Sequence, residues 1–368
     1  MKYQRMPIEV ESPEEFGYEK IACNLAESSM TDRVFSELSL QLKDLKLAYG
    51  DHRGHRRLRE LIASWYGIEP NDVLITAGAA AALFIISTSL LTSQSHLLVM
   101  HPNYATNLET PRAIGCHIET IPLLFEQEFN LDLLHLLSHI HSKVSLVSLT
   151  SPHNPSGKVF GMSVLEPIIK EVLNHNSYLL VDETYRDLNF GIQPPLAATL
   201  ASCVISVSSV SKAFGLPGLR IGWLICRESQ LMNTFLAAKE QIFICNSILD
   251  EEIAYQFLQH KEEWIPQMKT HVGHNITTLK KWLQQEPRME WVEPEGGAVC
   301  LMRIRPSVSV DLPLFYQVLQ QDFQTWIGPG HWFELDDRYM RVGFGWPQQT
   351  EFSQGLSNVS KALDHIQT

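Results

Sequence analysis

Between about residues 44 and 259, short apolar runs alternate with amphipathic stretches, the pattern of a parallel sheet whose faces are covered by helices. The runs predict strands at 73–76, 97–100, 117–121, 145–149, 178–181, 204–207 and 221–226, with helical windows between them at 80–91, 131–140 and 163–173. Beyond Trp264 the order changes to a helix near 268–283, strands near 299–304 and 339–344, and helices near 312–320 and 349–366. Elements segregated in that way predict a second, smaller α+β domain. The expected division is an N-terminal arm over 1–43 that partly joins the small domain, a large domain over 44–262 and the small domain over 263–368.

Composition narrows the picture. The chain has 368 residues, 45% of them hydrophobic and 19% charged, which excludes a disordered, collagen-like or disulfide-stapled scaffold. A formal charge of −12 repels phosphate backbones and anionic lipid, so neither nucleic acid nor a membrane surface is an expected partner. The one short basic run, 53–59, has the spacing of a helix start. Cys23, Cys116, Cys203, Cys226, Cys245 and Cys300 stand far apart with no CxxC pair, which predicts reduced, mostly buried thiols, no metal site and a cytoplasmic protein. Residues 1–16 mix Lys, Arg and Glu without an apolar stretch, so no signal peptide is expected. The longest apolar run, 79–86, falls short of the about 20 residues that span a bilayer.

In a parallel sheet the ligand lies outside the carboxyl ends of the strands, and the unusual residues fall in the loops expected there. Thr76-Ala77-Gly78-Ala79 follows one strand and opens a helix, so Gly78, Ala79 and Ala80 offer free N–H groups and a positive dipole end to a phosphate; tight strand-to-helix turns with no ligand look the same. Asp182 ends an apolar strand, where a carboxylate is costly unless a cation meets it; a helix cap or a paired structural acid answers that cost equally well. Lys212 sits among small and apolar residues with Ser209, Ser211 and Arg220 close in sequence, a setting for a lysine of depressed pKa that forms a Schiff base, with those three as phosphate donors. Taken by itself it reads equally as a solvated loop lysine.

The stretch Ser209-x-Ser211-Lys212-x-Phe214-Gly215-x-x-Gly218-x-Arg220-x-Gly222 resembles the lysine signature of the fold-type I pyridoxal-phosphate enzymes, specifically the class I/II aminotransferase family typified by aspartate aminotransferase. Asn154-Pro155-Ser156-Gly157, Asp182-Glu183-x-Tyr185, the register of Tyr49, Gly54, Leu58 and Arg59, Pro329-Gly330-x-x-Phe333 and Arg341-Val342-Gly343-Phe344 resemble further motifs of that family, so the likeness covers nearly the whole chain. It implies an α/β fold, a large domain with a mostly parallel seven-stranded sheet between helices plus a smaller α+β domain, and pyridoxal 5'-phosphate as cofactor. It also implies roles: Lys212 holds the cofactor as a Schiff base and then moves the substrate's α-proton, and Asp182 pairs with the ring nitrogen. Tyr185 and Asn154 bond the phenolic oxygen and Tyr104 stacks on the ring. Gly78, Ala79, Ala80, Ser209, Ser211 and Arg220 hold the phosphate. Arg341 clamps the substrate carboxylate, with Asn154 and Ala26 beside it; a strand arginine paired with Glu334 or Asp336 is the plainer reading of the same residue. Tyr49 reaches the phosphate of a neighbouring subunit, which implies a homodimer with shared active sites.

Two departures stand out. Leu25-Ala26-Glu27-Ser28 occupies the place of the family's Gly-Glu-Pro, and Ala298-Val299 follows Gly296-Gly297 where an aromatic is usual, implying a smaller substrate wall. The expected reaction moves an amino group from an L-amino acid to a 2-oxo acid. The alternatives on the same fold are a carbon–sulfur β-lyase or an amino-acid decarboxylase, since the bond that breaks is the one set perpendicular to the ring, and, more remotely, a non-catalytic cofactor-binding effector module. No second arginine for a distal carboxylate stands out; Arg53, Arg56 and Arg57 lie near Tyr49 and read as helix-face residues.

Overall fold

The seven apolar runs form one sheet. In the computed structural model, which describes residues 1–366, the strand order is Val73–Thr76, Gly222–Cys226, Val204–Ser209, Tyr178–Asp182, Val144–Thr150, His96–His101 and His117–Pro122. Gly222–Cys226 runs antiparallel to both neighbours and the remaining pairs are parallel. Six predicted strands match outright or gain one or two residues at an end, while the seventh starts one residue later because Arg220 adopts φ 51° and turns the chain before Gly222.

Both faces of the sheet are covered. Leu83, Ile86 and Phe235, from helices Gly78–Leu90 and Ser229–Phe243, pack on Leu74, Val99, Ile205 and Leu224. Leu165, Ile168 and Val172 of helix Met162–Asn174 pack on Val147, Leu149 and Val181 from the other side. Each such fully buried aliphatic side chain contributes roughly 1.5–3 kcal/mol relative to exposure, which is why near-continuous apolar strands read as doubly covered.

A second, four-stranded antiparallel sheet has the order Gly328–Pro329, Tyr339–Gly343, Val299–Ile304, Met289–Trp291. Helices Leu312–Gln321 and Gln349–His365 accompany it, and helix Lys261–Gln285 begins seven residues ahead of the sequence expectation, with Pro266 inside it. The N-terminal segment is tied to this part: Cys23–Asn24 pairs in parallel with Thr325–Trp326, and the Gly343 N–H donates to the Leu25 carbonyl at 2.7 Å. A Cβ on Gly343 would overlap the Glu27 carbonyl, so glycine there lets residues 25–27 run alongside the strand.

All six cysteines are free thiols, with Cys116 and Cys245 half-buried rather than buried. Among the described residues no helix is long and apolar enough to cross a membrane.

Candidate active site

Sheet register assembles an anion cup. Gly222 is paired with Thr76 on one side and Ser209 on the other. Because its strand is antiparallel, the residues before it, including Arg220, arrive at the same edge as the carboxyl ends of the neighbours. Helix Gly78–Leu90 starts there from Ala77, which supplies no side-chain cap, so its first-turn N–H groups are left open. Two glycines make the approach possible. A Cβ on Gly222 would lie 2.5 Å from the Gly78 carbonyl carbon and 2.6 Å from the Ala79 nitrogen, and one on Gly78 would lie 2.5 Å from Arg220 Nη2. Ala79, Ala80, Ser209, Ser211 and Arg220 line one wall of a cavity of about 320 Å³, within the roughly 300–1,000 Å³ of small-molecule sites.

Lys212 enters the same cavity. Its Nζ donates to Ser28 Oγ at 2.9 Å and stands 3.8 Å from Glu27 Oε1, with the side chain 30% exposed to the cavity. The Met30 N–H donates to the Lys212 carbonyl and the Arg33 N–H to the Gly215 carbonyl, so residues 28–33 and the lysine loop are joined along their backbones. Burial and Arg341 press the ammonium's pKa down, while Tyr185, Glu27 and Tyr104 press it up, and the net direction is up. The depression expected from the serine-rich neighbourhood is therefore not what the site produces, because acidic and phenolic groups from elsewhere in the chain face the amine.

Asp182 is 5% exposed at the end of its strand, and its Oδ1 accepts from the Thr184 N–H at 3.0 Å and the Thr184 hydroxyl at 2.6 Å. Burial raises its pKa and the Thr184 bonds oppose the rise; no protein cation contributes. Opposite stands Arg341, 3% exposed, donating through Nη2 to the Ala26 carbonyl at 2.7 Å and through Nη1 to Asn154 Oδ1 at 3.3 Å, while its Nε has no hydrogen-bond partner. One cavity thus presents an anion cup, an amine, a buried carboxylate awaiting a cation and a buried guanidinium awaiting an anion. Comparison with known proteins agrees with that inventory: a family model described as aminotransferase class I and II matches residues 26–351.

The chain belongs to the class I and II aminotransferase family. Capreomycidine synthase of Streptomyces vinaceus is 27% identical over 359 residues, 94% of this chain and 91% of its own. An arginine–pyruvate transaminase of Pseudomonas aeruginosa is 24% identical over 70% of this chain and 68% of its own. The crystal structure of a PLP-dependent aminotransferase from Streptococcus suis superposes with a TM-score of 0.92 at 25% identity, covering 100% of this chain and 99% of that one. This is the fold-type I architecture of the pyridoxal-phosphate aminotransferases, and pyridoxal phosphate is the cofactor. The residues present fit it: the glycine-lined helix terminus suits a phosphate, and Asp182, buried without a protein cation, suits a protonated ring nitrogen.

In this aminotransferase-family chain Tyr104, Asn154 and Tyr185 also line the cavity. The Tyr185 hydroxyl donates to the Ser28 carbonyl at 2.8 Å and that of Tyr104 to Glu9 Oε1 at 3.3 Å. Tyr49 does not join them. It is 83% exposed, so it is not a packing residue of its own subunit. The plainer reading of Arg341 also falls: Glu334 pairs with Arg112, and Asp336 accepts from the Arg338 N–H. Ala298 and Val299 do not shape a substrate wall. Both are buried in the core, Ala298 against Gly345. Arg53 bonds Asn233, Arg56 pairs with Glu60 and Arg57 with Glu252, none of them at the cavity.

Sequence reasoning passed over Glu27 and Ser28, Thr184, and the arm residues Glu9, Glu14 and Tyr18 that close the cavity with Trp332. The signal for Glu27 and Ser28 was the departure at 25–28. The arm carried none, because its helices Pro7–Val10 and Pro13–Phe16 are four residues each and are placed by Ile8 packing against Ala26, Trp326, Trp332 and Phe333.

Proposed function

We propose that the protein transfers the amino group of an L-amino acid to a 2-oxo acid, with Lys212 as cofactor-bearing residue and proton carrier. The observation that supports this most directly is that Lys212, Asp182, Arg341 and an uncapped helix N-terminus line a single cavity. When bound, the cofactor supplies an aldehyde that captures amines and a ring that stabilises negative charge on the carbon next to the amine.

The protein's part is binding, orientation and proton movement. Gly78, Ala79 and Ala80 offer N–H groups to the phosphate, Ser209 and Ser211 offer hydroxyls, and Arg220 offers a fixed charge. Asp182, with one oxygen held by Thr184, keeps the ring nitrogen protonated. Asn154 and Tyr185 would bond the cofactor's phenolic oxygen and Tyr104 would stack on its ring, all three lining the same cavity. Arg341 would take the substrate α-carboxylate on its free Nε, while Asn154 Oδ1 accepts from Nη1 and the Ala26 carbonyl from Nη2. A carboxylate pinned in that way sets the α-hydrogen toward Lys212. Lys212 Nζ, steadied by Ser28 Oγ, would be the group that takes that proton and delivers one to the cofactor's aldehyde carbon.

The homodimer belongs to the same proposal. Tyr49 (83% exposed), Leu47 (81%), Phe35 (64%) and Val34 (57%) lie in the segment after the site loop, and Ile244 and Leu249 are also exposed. A Cβ on Gly50 would touch Ile248 Cδ1 at 2.5 Å, so the two segments adjoin and form one apolar face suited to a second copy of the chain. Tyr49 stands on that face, where it would reach the cofactor phosphate of a second copy.

Two measurements test the reading. Borohydride reduction of the holoenzyme and peptide mapping should place the pyridoxyl group on Lys212, and a label on another lysine would refute the assignment. A panel of L-amino acids added to the holoenzyme should convert its aldehyde-form absorbance to the pyridoxamine form. Release of ammonia with the aldehyde form retained would instead favour elimination, a reading kept because one relative is named a synthase rather than a transaminase.

A further inference from the structure

We infer that the preferred amino donor carries a cation on its side chain, an ammonium or guanidinium, and that Glu27, with Glu9 and Glu14, recognises it. The inference rests on the aminotransferase reading and names its substrate class.

The cavity has two ends whose charge is accounted for. Arg341 is almost fully buried with its Nε unpartnered and lines the cavity, which calls for an anionic group of the ligand there. Lys212 and Arg220 serve the cofactor. The rest of the substrate must meet the remaining wall, made by the N-terminal arm and the 26–28 loop. That wall brings three carboxylates, Glu9, Glu14 and Glu27, and no basic side chain; the basic residues lining the cavity are Lys212, Arg220 and Arg341.

Glu27 is the inner member of the set. Its side chain is 14% exposed, and its Oε1 accepts from the Ser28 N–H at 2.9 Å and the Ser29 hydroxyl at 3.4 Å. Oε2 accepts from the Tyr18 hydroxyl at 3.5 Å. Burial opposes ionisation, but Lys212, the Ser28 N–H and Arg341 outweigh it and hold the carboxyl below its ordinary range. Its nearest cation is the Lys212 ammonium at 3.8 Å, which the cofactor claims in the loaded enzyme. An ionised, largely buried carboxylate that loses its cation is costly, and a cationic side chain on the donor restores the pairing. Glu9 accepts a single bond, from Tyr104, and exposed Glu14 extends the negative wall toward solvent. Tyr18, Tyr104 and Trp332 add aromatic surface beside the carboxylates, which suits the same cation. A donor with an acidic side chain meets three like charges. A donor with a neutral one leaves Glu27 unpaired.

The test uses the holoenzyme and follows the amino-donor half-reaction by cofactor absorbance, so that no acceptor has to be chosen. L-Ornithine, L-lysine and L-arginine are compared with L-leucine, L-methionine and L-glutamate. The expected result is a kcat/KM for at least one basic donor that exceeds every neutral and acidic donor by roughly 10- to 100-fold, the scale of one charge-assisted hydrogen bond. Glu27→Gln should lower the basic-to-neutral ratio by a similar factor, mainly through KM, and Glu27→Asp should restore part of it. Calorimetric binding of α-methylornithine against α-methylleucine, neither of which has an α-proton to lose, gives the same comparison without turnover. Preference for neutral or acidic donors, or a ratio unmoved by Glu27→Gln, would overturn the inference. If basic compounds bind preferentially but leave the aldehyde form in place and release ammonia, the aminotransferase reading fails and the cation subsite stands. If no amino acid of any class binds, both fall.

Discussion

His153 sits behind the site at 1% exposure, where the Pro102 carbonyl can only accept, so Nε2 carries the ring proton at 2.9 Å from it and the Ser156 hydroxyl donates to Nδ1 at 2.7 Å. The neutral ring joins the loop that holds Asn154 to the loop that holds Tyr104. Burial, reinforced by His101 and opposed by the Pro102 carbonyl, takes its pKa from 6.5 down to about 4. Between those values the unfolded chain binds a proton that the folded chain refuses, so stability rises with pH across that window and is complete above about 6.5. The difference amounts to roughly 3 kcal/mol. Denaturant midpoints measured from pH 4 to 7 should climb in the wild type and climb less steeply in His153→Gln; equal slopes would remove this residue from the account. At Asp182 the prediction is catalytic. Asp182→Ala should still bind the cofactor through the phosphate cup, yet lose roughly 100-fold or more in kcat/KM, since ring protonation is what the acid supplies. Near-normal turnover in that variant, read together with its cofactor content, would show the carboxylate to be structural.

Two contacts between elements decide whether the cavity keeps its shape. Gly222 lets its strand lie against the first turn of helix Gly78–Leu90, and the backbone atoms a Cβ would strike have no room to move. Gly222→Ala should cost roughly 1–3 kcal/mol through overpacking and weaken cofactor binding, which fluorescence titration of the apoenzyme would read; unchanged affinity would mean that the helix terminus is not the phosphate site. The second contact pins the arm. His331 lies between Glu11 and Asp337, each at 2.8 Å, and Glu11 also accepts from Trp332 Nε1. Burial lowers the imidazole pKa, but the two carboxylates outweigh it and the net direction is up. A raised pKa means that this tie is complete below the ordinary histidine value and is lost as pH rises through the folded one. Hydrogen-exchange protection in residues 7–16, taken relative to the intrinsic base-catalysed rate, should therefore fall on the alkaline side, and Glu11→Gln should remove that fall. An arm whose protection is independent of pH in both proteins would show that packing of Ile8 alone holds it.

For the molecule as a whole, the proposed dimer turns one exposed residue into a test. Lys212→Ala lacks the amine and Tyr49→Ala lacks the reach across the apolar face, so mixing the two variants should restore one complete site in each heterodimer. Activity should reappear after subunit exchange and exceed the sum of the parents. Sedimentation of an active monomer, or exchange without recovery, would leave Tyr49 without a part in the site. Leu47→Asp should shift the sedimentation profile toward monomer, because a carboxylate on an 81% exposed leucine harms only a surface that another chain covers.

How much of this was legible in the sequence follows from how local each feature is. Seven strands could be read because apolar residues buried on both faces leave continuous runs, and the Lys212, Asp182 and Asn154 loops could be placed because a parallel sheet collects its strand ends on one edge. The antiparallel run of Gly222–Cys226 and the early start of helix Lys261–Gln285 were not visible, since strand direction and helix register are settled by partners distant in sequence. The same reason governs the site. Residue types and spacing singled out Lys212, Asp182, Arg220 and Arg341, whereas the company that sets the charge around Lys212 comes from residues 27, 104, 185 and 341, brought together only when the arm, two loops and a strand of the second sheet fold onto one cavity. Sequence by itself determined the family, the cofactor and the order of the motifs. Tertiary structure decided that the lysine's pKa goes up, that Ala298 is core rather than wall, and that three carboxylates line the cavity, because electrostatic and packing neighbours are set by distance in space and not by distance along the chain.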